Sequence, residues 1–307
     1  MNEIVDALVV GRRRAPIRPA SADVVRDYLT LTKPRIMSLL VLTSVCAMVA
    51  AAGGSPAPVA LVALVVGGAL ACGGASALNH VLDRDIDKLM GPRTASRPVA
   101  SGRIAPRHAV AFALTLSLLS FVILTAFCNL LTAALAVSGG AFYVVIYTLW
   151  LKRTTPQNIV IGGAAGAIPP LAGWAAANGR LGLGALFLFL TVLLWTPPHF
   201  WALALLLTPQ YSAARVPMLP VVRGSVATAR QVLLYTFALV AVSLAPGVLG
   251  TFGGLYLIVA IALDGVLCWL AWRLWREPTA ARASVLFHYT LVYLALLFVA
   301  VAVAAAA

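Results

Sequence analysis

Three aspartates stand within five positions in the stretch Asn79-His80-Val81-Leu82-Asp83-Arg84-Asp85-Ile86-Asp87, in a chain of 307 residues that holds only 9 acidic ones. Asn79, Asp83 and Asp87 are four apart, so a continuing helix stacks them along one face. One amide and two carboxylates on one stripe make an oxygen-rich, anionic surface. Mg²⁺ favours such a surface, taking one or two carboxylates, waters and substrate phosphate oxygens. Asp85 falls roughly opposite Asp83; a second ion and a pairing with Arg84 or Lys88 are both open to it. An ionisable group at the edge of a hydrocarbon span is costly unless it is compensated. Three together need a cation.

The loop after the acids supplies fixed positive charge. Arg93 and Arg97 come directly after them, and Lys152 and Arg153 close a later apolar run. Guanidinium groups grip phosphate oxygens through paired hydrogen bonds. Carboxylates followed by arginines suit a diphosphate bridged by Mg²⁺. Lys33 and Arg35 either anchor the first span or add charge to the same site.

The elements that must position these groups are membrane spans. Hydrophobic residues make up 62% of the chain and charged ones 10%, and the mean hydropathy is +0.98. These values exclude a soluble domain of this length and predict an all-α polytopic membrane protein. Apolar runs long enough to cross a bilayer lie at about 36–52, 57–82, 108–127, 130–151, 158–177, 181–207, 229–250, 252–272 and 284–307, predicting nine transmembrane helices. The net charge of +13 raises nucleic acid as a partner, but its distribution argues against that. With a cytoplasmic amino terminus and nine spans, every Lys and Arg of the 22 except Arg180 falls inside. That asymmetry sets the expected orientation, with the carboxyl terminus outside. Residues 1–27 read as a basic cytoplasmic tail and 28–307 as a single membrane-embedded domain. Cys46, Cys72, Cys128 and Cys268 lie in apolar runs without metal spacing and read as packing residues.

Other polar features sit inside spans. Small residues around Gly67, Gly68, Ala71, Gly73, Gly74 and Ala75 serve close helix packing, an apolar substrate slot, or both. Pro169-Pro170 and Pro197-Pro198 break the backbone ladder and suggest cavity walls. His199 follows the second pair among three aromatics; a hydrogen-bonded core residue is the ordinary reading, with haem contact or proton handling the functional one. Asp264 is alone in its span and reads as an interhelical hydrogen-bond partner, and His288 as interfacial.

The motif Asn79-x3-Asp83-x3-Asp87 resembles the first aspartate motif of the UbiA-type intramembrane prenyltransferases. The stretches Arg93-Thr94-x2-Arg97-Pro98, Leu151-Lys152-Arg153, Gln157-Asn158, Trp195-Thr196-Pro197-Pro198-His199-Phe200-Trp201 and Val216-Pro217-Met218-Leu219-Pro220 resemble the protohaem IX farnesyltransferase branch, over roughly residues 28–300. Two positions depart from that pattern. Gln210 precedes Tyr211 where the branch usually has Asp, and Arg215 stands where it usually has a small residue. The resemblance implies a UbiA-type bundle in the plasma (inner) membrane. It implies transfer of a farnesyl group from farnesyl diphosphate to haem b with addition of water, giving haem O. It also implies Mg²⁺ on Asn79, Asp83 and Asp87, catalytic roles for these three with Lys152 and Arg153, and substrate contacts from Arg93, Arg97, Tyr147, Arg215 and His199. Membrane lipid, and haem A synthase as the consumer of the product, are the partners it implies. The competing expectations are a prenyltransferase acting on an aromatic quinone precursor, a secondary transporter, and a haem chaperone. Polar groups at helix ends rather than at the midplane argue against the transporter.

Overall fold

The computed structural model describes residues 21–307, all helix and connecting loop. Nine of its helices are long and apolar enough to cross a membrane. The protein is a multi-pass membrane bundle, as the apolar runs predict. The part of the expected tail at 1–20 lies outside the described residues. The rest of it is helical: α1 (Ser21–Thr32) is a helix, and Asp27 pairs with Arg103 at 2.8 Å.

The spans are α2 (Pro34–Ala51), α3 (Pro58–Leu82), α6 (Pro106–Phe127), α7 (Leu130–Thr154), α8 (Asn158–Asn178), α9 (Leu183–Leu206), α11 (Leu219–Val248), α12 (Gly253–Arg276) and α13 (Ala280–Ala306). Three short helices sit in loops at one end: α4 (Arg84–Leu89), α5 (Pro92–Ala95) and α10 (Thr208–Ala213). The seventh span starts at Leu219, ten residues before the apolar run, because a short helical stretch carrying Arg223 is joined to the apolar helix across a kink. Gly224, at φ 77°, makes that kink, and Arg223, Arg230 and Gln231 interrupt the apolar run that hydropathy registers.

Close approach through small residues holds the bundle together. A Cβ on Gly74 would stand 2.8 Å from the Ala113 carbonyl oxygen, so α3 and α6 meet backbone to backbone. Gly173 is pressed against the backbone of Ser44 in the same way, joining α8 to α2. Packing is thus the use made of Gly74, and of Gly67 and Gly73, which abut Leu124 and Leu116. The main core runs between α8, α9, α11, α12 and α13, with Tyr256, Tyr293 and Phe298 fully buried in it. Asp264 is part of that core. It accepts hydrogen bonds of 2.7 Å from both Ser243 and Tyr293, the interhelical role expected of it. All four cysteines are free.

The two proline pairs do not interrupt their helices; α8 and α9 run through them. The larger irregularity is in α7, whose stretch Phe142–Leu151 is π-helical. A π turn widens the helix by one residue and rotates the side chains beyond it. Here it leads directly into Lys152.

Candidate active site

The acidic stripe is held where α3 ends. Asp83 leaves the regular helix at φ −90°, ψ 6°, and α4 resumes immediately. The backbone still bonds Asp83 N to Asn79 O and Asp87 N to Asp83 O, so the four-residue register survives the hitch. Asn79, Asp83 and Asp87 are all buried, at 3%, 1% and 1% exposure.

Each of the three receives one cation. Lys33 Nζ donates to Asn79 Oδ1 at 2.7 Å, Lys152 Nζ to Asp83 Oδ2 at 2.5 Å, and Arg97 Nη1 to Asp87 Oδ1 at 2.6 Å. Three local devices deliver these side chains. Lys33 occupies the left-handed region at φ 51°, between α1 and Pro34; a residue before proline is kept out of the helical region, and the break turns its side chain inward. Arg97 comes after the one-turn helix α5, which Thr94 ties back by donating to the Asp87 and Gly91 carbonyls at 2.7 and 3.0 Å. The π-helical turn of α7 sets Lys152, and with it Thr148, which accepts from Asn79 Nδ2 at 3.1 Å. Asn79 Nδ2 also donates to Asp83 Oδ2 at 2.7 Å.

The pairing leaves specific atoms over. Asp83 Oδ1 and Asp87 Oδ2 are buried without a hydrogen-bond partner. A buried carboxylate oxygen without a partner is costly, and such an atom in a native site calls for an ion or a ligand. Two free carboxylate oxygens on one stripe fit a hard divalent cation that completes its shell with substrate oxygens and water. Among the described residues no cluster of three or more His, Cys, Asp or Glu forms. Burial pushes the Asp87 carboxyl above its usual range despite the pull of Arg97. Burial, with repulsion from Arg97 and Lys152, lowers Lys33 to about 7.

Other expected residues are placed differently. Asp85 pairs neither with Arg84 nor with Lys88: both its oxygens are held by Arg153 at 2.8 Å, which keeps its carboxyl well below the ordinary range. Arg153 also donates to the Leu82 carbonyl at 2.7 Å, so it caps the end of α3 instead of facing the buried acids. Arg93 is exposed, one turn from Arg97. Arg215 is exposed too, at φ 54° in the turn after α10. Tyr147 is half-buried, stacks on Tyr143 at 5.6 Å, and is received by Gly162. His199 stands apart, between α9 and α13. Its ring stacks between Trp195 at 4.3 Å and Phe287 at 4.8 Å, and its Nδ1 is 2.8 Å from Thr290 Oγ1.

Three further groups belong to this region. His80 is 1% exposed and neither ring nitrogen has a partner; its charged neighbours are Lys33 and Arg97. Tyr211 is buried close enough to Asp83 and Arg97 to feel both, with its hydroxyl pushed up to about 12 chiefly by burial. Beside it, Gln210 Oε1 is buried and unpartnered. The sequence signal for His80 is its place next to Asn79, but a histidine's missing partners show only in three dimensions.

Nine spans with carboxylates paired to basic side chains and buried at one end define a membrane-embedded protein whose polar site lies at its helix ends. The chain belongs to the UbiA prenyltransferase family, whose pattern matches residues 40–299. It is 52% identical over 286 residues to the protoheme IX farnesyltransferase of Gloeobacter violaceus, covering 93% of each chain. It is 50% identical over 278 residues to the protein of that name from Roseiflexus castenholzii, covering 91% of this chain and 52% of that one. The chain thus spans about half the length of some curated relatives and nearly all of others. Among solved structures it resembles digeranylgeranylglyceryl phosphate synthase, with a TM-score of 0.76 at 21% identity over 92% of this chain and 98% of that one. It also resembles a UbiA homologue from Archaeoglobus fulgidus bound to GPP and Mg²⁺, with a TM-score of 0.69 at 14% identity over 90% of this chain and 99% of that one. At those identities the likeness is one of fold.

Proposed function

We propose that this chain transfers the farnesyl group of farnesyl diphosphate to a vinyl group of haem b, with addition of water, giving haem O and diphosphate. The observation that carries this reading is the one-to-one pairing of Lys33, Lys152 and Arg97 with Asn79, Asp83 and Asp87, with two carboxylate oxygens left free. The named relatives at about 50% identity supply the substrates.

Asn79, Asp83 and Asp87 would hold Mg²⁺, Asn79 after its Oδ1 gives up Lys33. Mg²⁺ bound there supplies Lewis-acid stabilisation of the charge that builds on the departing diphosphate. The chain's own part rests on its charges. In the resting site Lys152 and Arg97 neutralise Asp83 and Asp87, and Lys33 donates to the Asn79 amide oxygen. When substrate arrives, Lys152 and Arg97 are already in place as positive charge for the diphosphate oxygens, with Lys33 as a further donor. Arg93 and Arg215, both exposed, would meet the diphosphate on its way in. Cleavage of the allylic C–O bond leaves its electron pair on diphosphate. The allylic carbon then bonds to the terminal vinyl carbon, and water adds to the neighbouring carbon with loss of a proton. Tyr147 and the apolar spans exclude water from the allylic carbon until the vinyl group has reacted. His199, stacked in an aromatic slot on the α9–α13 interface, is the proposed haem contact.

The charge bias supports a polar end facing the cytoplasm at the plasma (inner) membrane, with the carboxyl terminus outside. Haem A synthase is the proposed consumer of the product. The test uses purified protein with haem b and farnesyl diphosphate, with and without Mg²⁺, read by mass. Haem O formed only with Mg²⁺ is the expected result. A prenylated phenol formed from an aromatic acceptor instead, or tight haem binding without chemistry, would overturn the proposal.

A further inference from the structure

A second basic site lies away from the acids, where α12 ends and α13 begins. Trp269, Trp272, Arg273, Arg276, Glu277 and Arg282 line a cleft of about 460 Å³. Arg273 sits over the Trp269 ring at 4.8 Å and Arg276 over Trp272 at 5.8 Å. Arg282, from the next helix, donates to the Arg273 carbonyl at 2.8 Å and pairs with Glu277. Arg282 alone pairs with Glu277, and Arg273 and Arg276 line the same cleft, leaving an excess of two positive charges.

Arginines in the last turn of a helix are favoured by its dipole, and tryptophans mark any membrane interface. Those effects explain the residue types at the end of α12. They do not explain why Arg282, from the next helix, lines the same cleft as Arg273 and Arg276. Stacking on the indoles fixes Arg273 and Arg276 and leaves their N–H edges free, the state best prepared for an oxyanion. The cleft also continues into a smaller one of about 130 Å³, which shares Arg273 and Arg282 and is otherwise lined by Leu270, Ala281 and Val285. A charged cavity that opens onto an apolar groove at a membrane edge has the shape of a phospholipid, with phosphate above and acyl chain below.

We infer that this cleft binds the phosphodiester headgroup of an anionic phospholipid, with the first acyl carbons along Leu270 and Val285. Basic recesses between spans on the cytoplasmic side are suited to such headgroups. The site shares no residue with the acidic stripe, so lipid binding and prenyl transfer are separable.

Delipidated full-length protein in detergent is titrated with phosphatidylglycerol or phosphatidylcholine of the same chains and followed by native mass spectrometry. Quenching of tryptophan fluorescence by the same lipids brominated near the headgroup is read in parallel. The expected result is about a tenfold preference for phosphatidylglycerol, reduced to within twofold in R273Q/R276Q. Arg276→Gln alone, at an exposed position whose only partner is a ring, keeps the test open if the double variant fails to insert, and should lose about threefold. Equal retention of both lipids by the unaltered protein overturns the inference, as does a preference unchanged in these variants. Displacement of phosphatidylglycerol by millimolar inorganic phosphate also overturns it, in favour of a free-phosphate site.

Discussion

Lys152 Nζ lies 2.5 Å from Asp83 Oδ2, joining two residues 69 positions apart at the end of two different spans. The lysine side chain is 12% exposed and the aspartate 1%, so both charges are largely withdrawn from water. Such a pair is weak evidence of stability in itself, but breaking it from one side is expensive. The contact therefore separates two things a mutation can damage, the fold and the chemistry.

Asp83→Ala should destabilise the protein by about 3–5 kcal/mol, because Lys152 is left buried and unpaired. Asp83→Ala with Lys152→Met removes both charges and should recover most of that loss. Neither variant should make haem O. Thermal unfolding in detergent reads the first effect and chromatography of extracted haem the second. A double variant that regains turnover along with stability would show that the acid serves only the fold.

Arg93 and Arg97 come after the acids with equal claim in the sequence, yet they should behave differently. Arg97 holds Asp87 at 2.6 Å while Arg93 is exposed. Arg97→Ala should lower kcat by about two orders of magnitude, the usual loss when one preorganised donor to a developing anion is removed. Arg93→Ala should raise KM for farnesyl diphosphate with kcat nearly unchanged, since a group that meets substrate only on entry contributes binding alone. Steady-state kinetics at varied farnesyl diphosphate distinguishes them, and equal effects on kcat would refute the division.

His80 has two buried ring nitrogens and no partner for either, beside Lys33 and Arg97. An imidazole N–H without a partner in that position is expected to donate to a diphosphate oxygen. His80→Leu should weaken binding of inorganic diphosphate by about tenfold, the 1.4 kcal/mol scale of one hydrogen bond to a charged group. His80→Gln, which keeps a donor, should recover most of it. Titration calorimetry of the detergent-solubilised protein gives both numbers, and a leucine variant that binds diphosphate normally would leave His80 with a packing role only.

Much of this arrangement is legible in the sequence because it depends on local periodicity. Nine spans come from apolar run length, and the stripe of Asn79, Asp83 and Asp87 from a spacing of four. The features that escape such a reading depend on backbone irregularity or on distant pairing. Nothing in hydropathy marks the π-helical turn that directs Lys152, or the left-handed Lys33 that reaches Asn79. Arg153 and Lys152 are neighbours with the same charge, and only their positions around a distorted helix send one to Asp85 and the other to Asp83. The start of α11 is hidden because polar residues precede its apolar stretch.

The bundle's small residues give the last expectation. Gly166 and Gly173 lie two turns apart on α8 and look interchangeable in the sequence. A Cβ on Gly173 would overlap the Ser44 carbonyl oxygen, which is backbone and has nowhere to rotate, whereas a Cβ on Gly166 meets nothing within 4 Å. Gly173→Ala must therefore push α8 away from α2, at a cost of about 1–3 kcal/mol for overpacking. Because α2 begins beside Lys33 and α8 comes after the loop beyond Lys152, the shift should reach the acidic site as well. Gly166→Ala should be neutral or slightly stabilising, since alanine favours helix by about 1 kcal/mol over glycine. Thermal unfolding of the two variants, with haem O formation measured on the same preparations, checks both statements. Equal stability would mean that α2 and α8 are less tightly apposed than Gly173 and Ser44 indicate, and that the lysine positions do not depend on this contact.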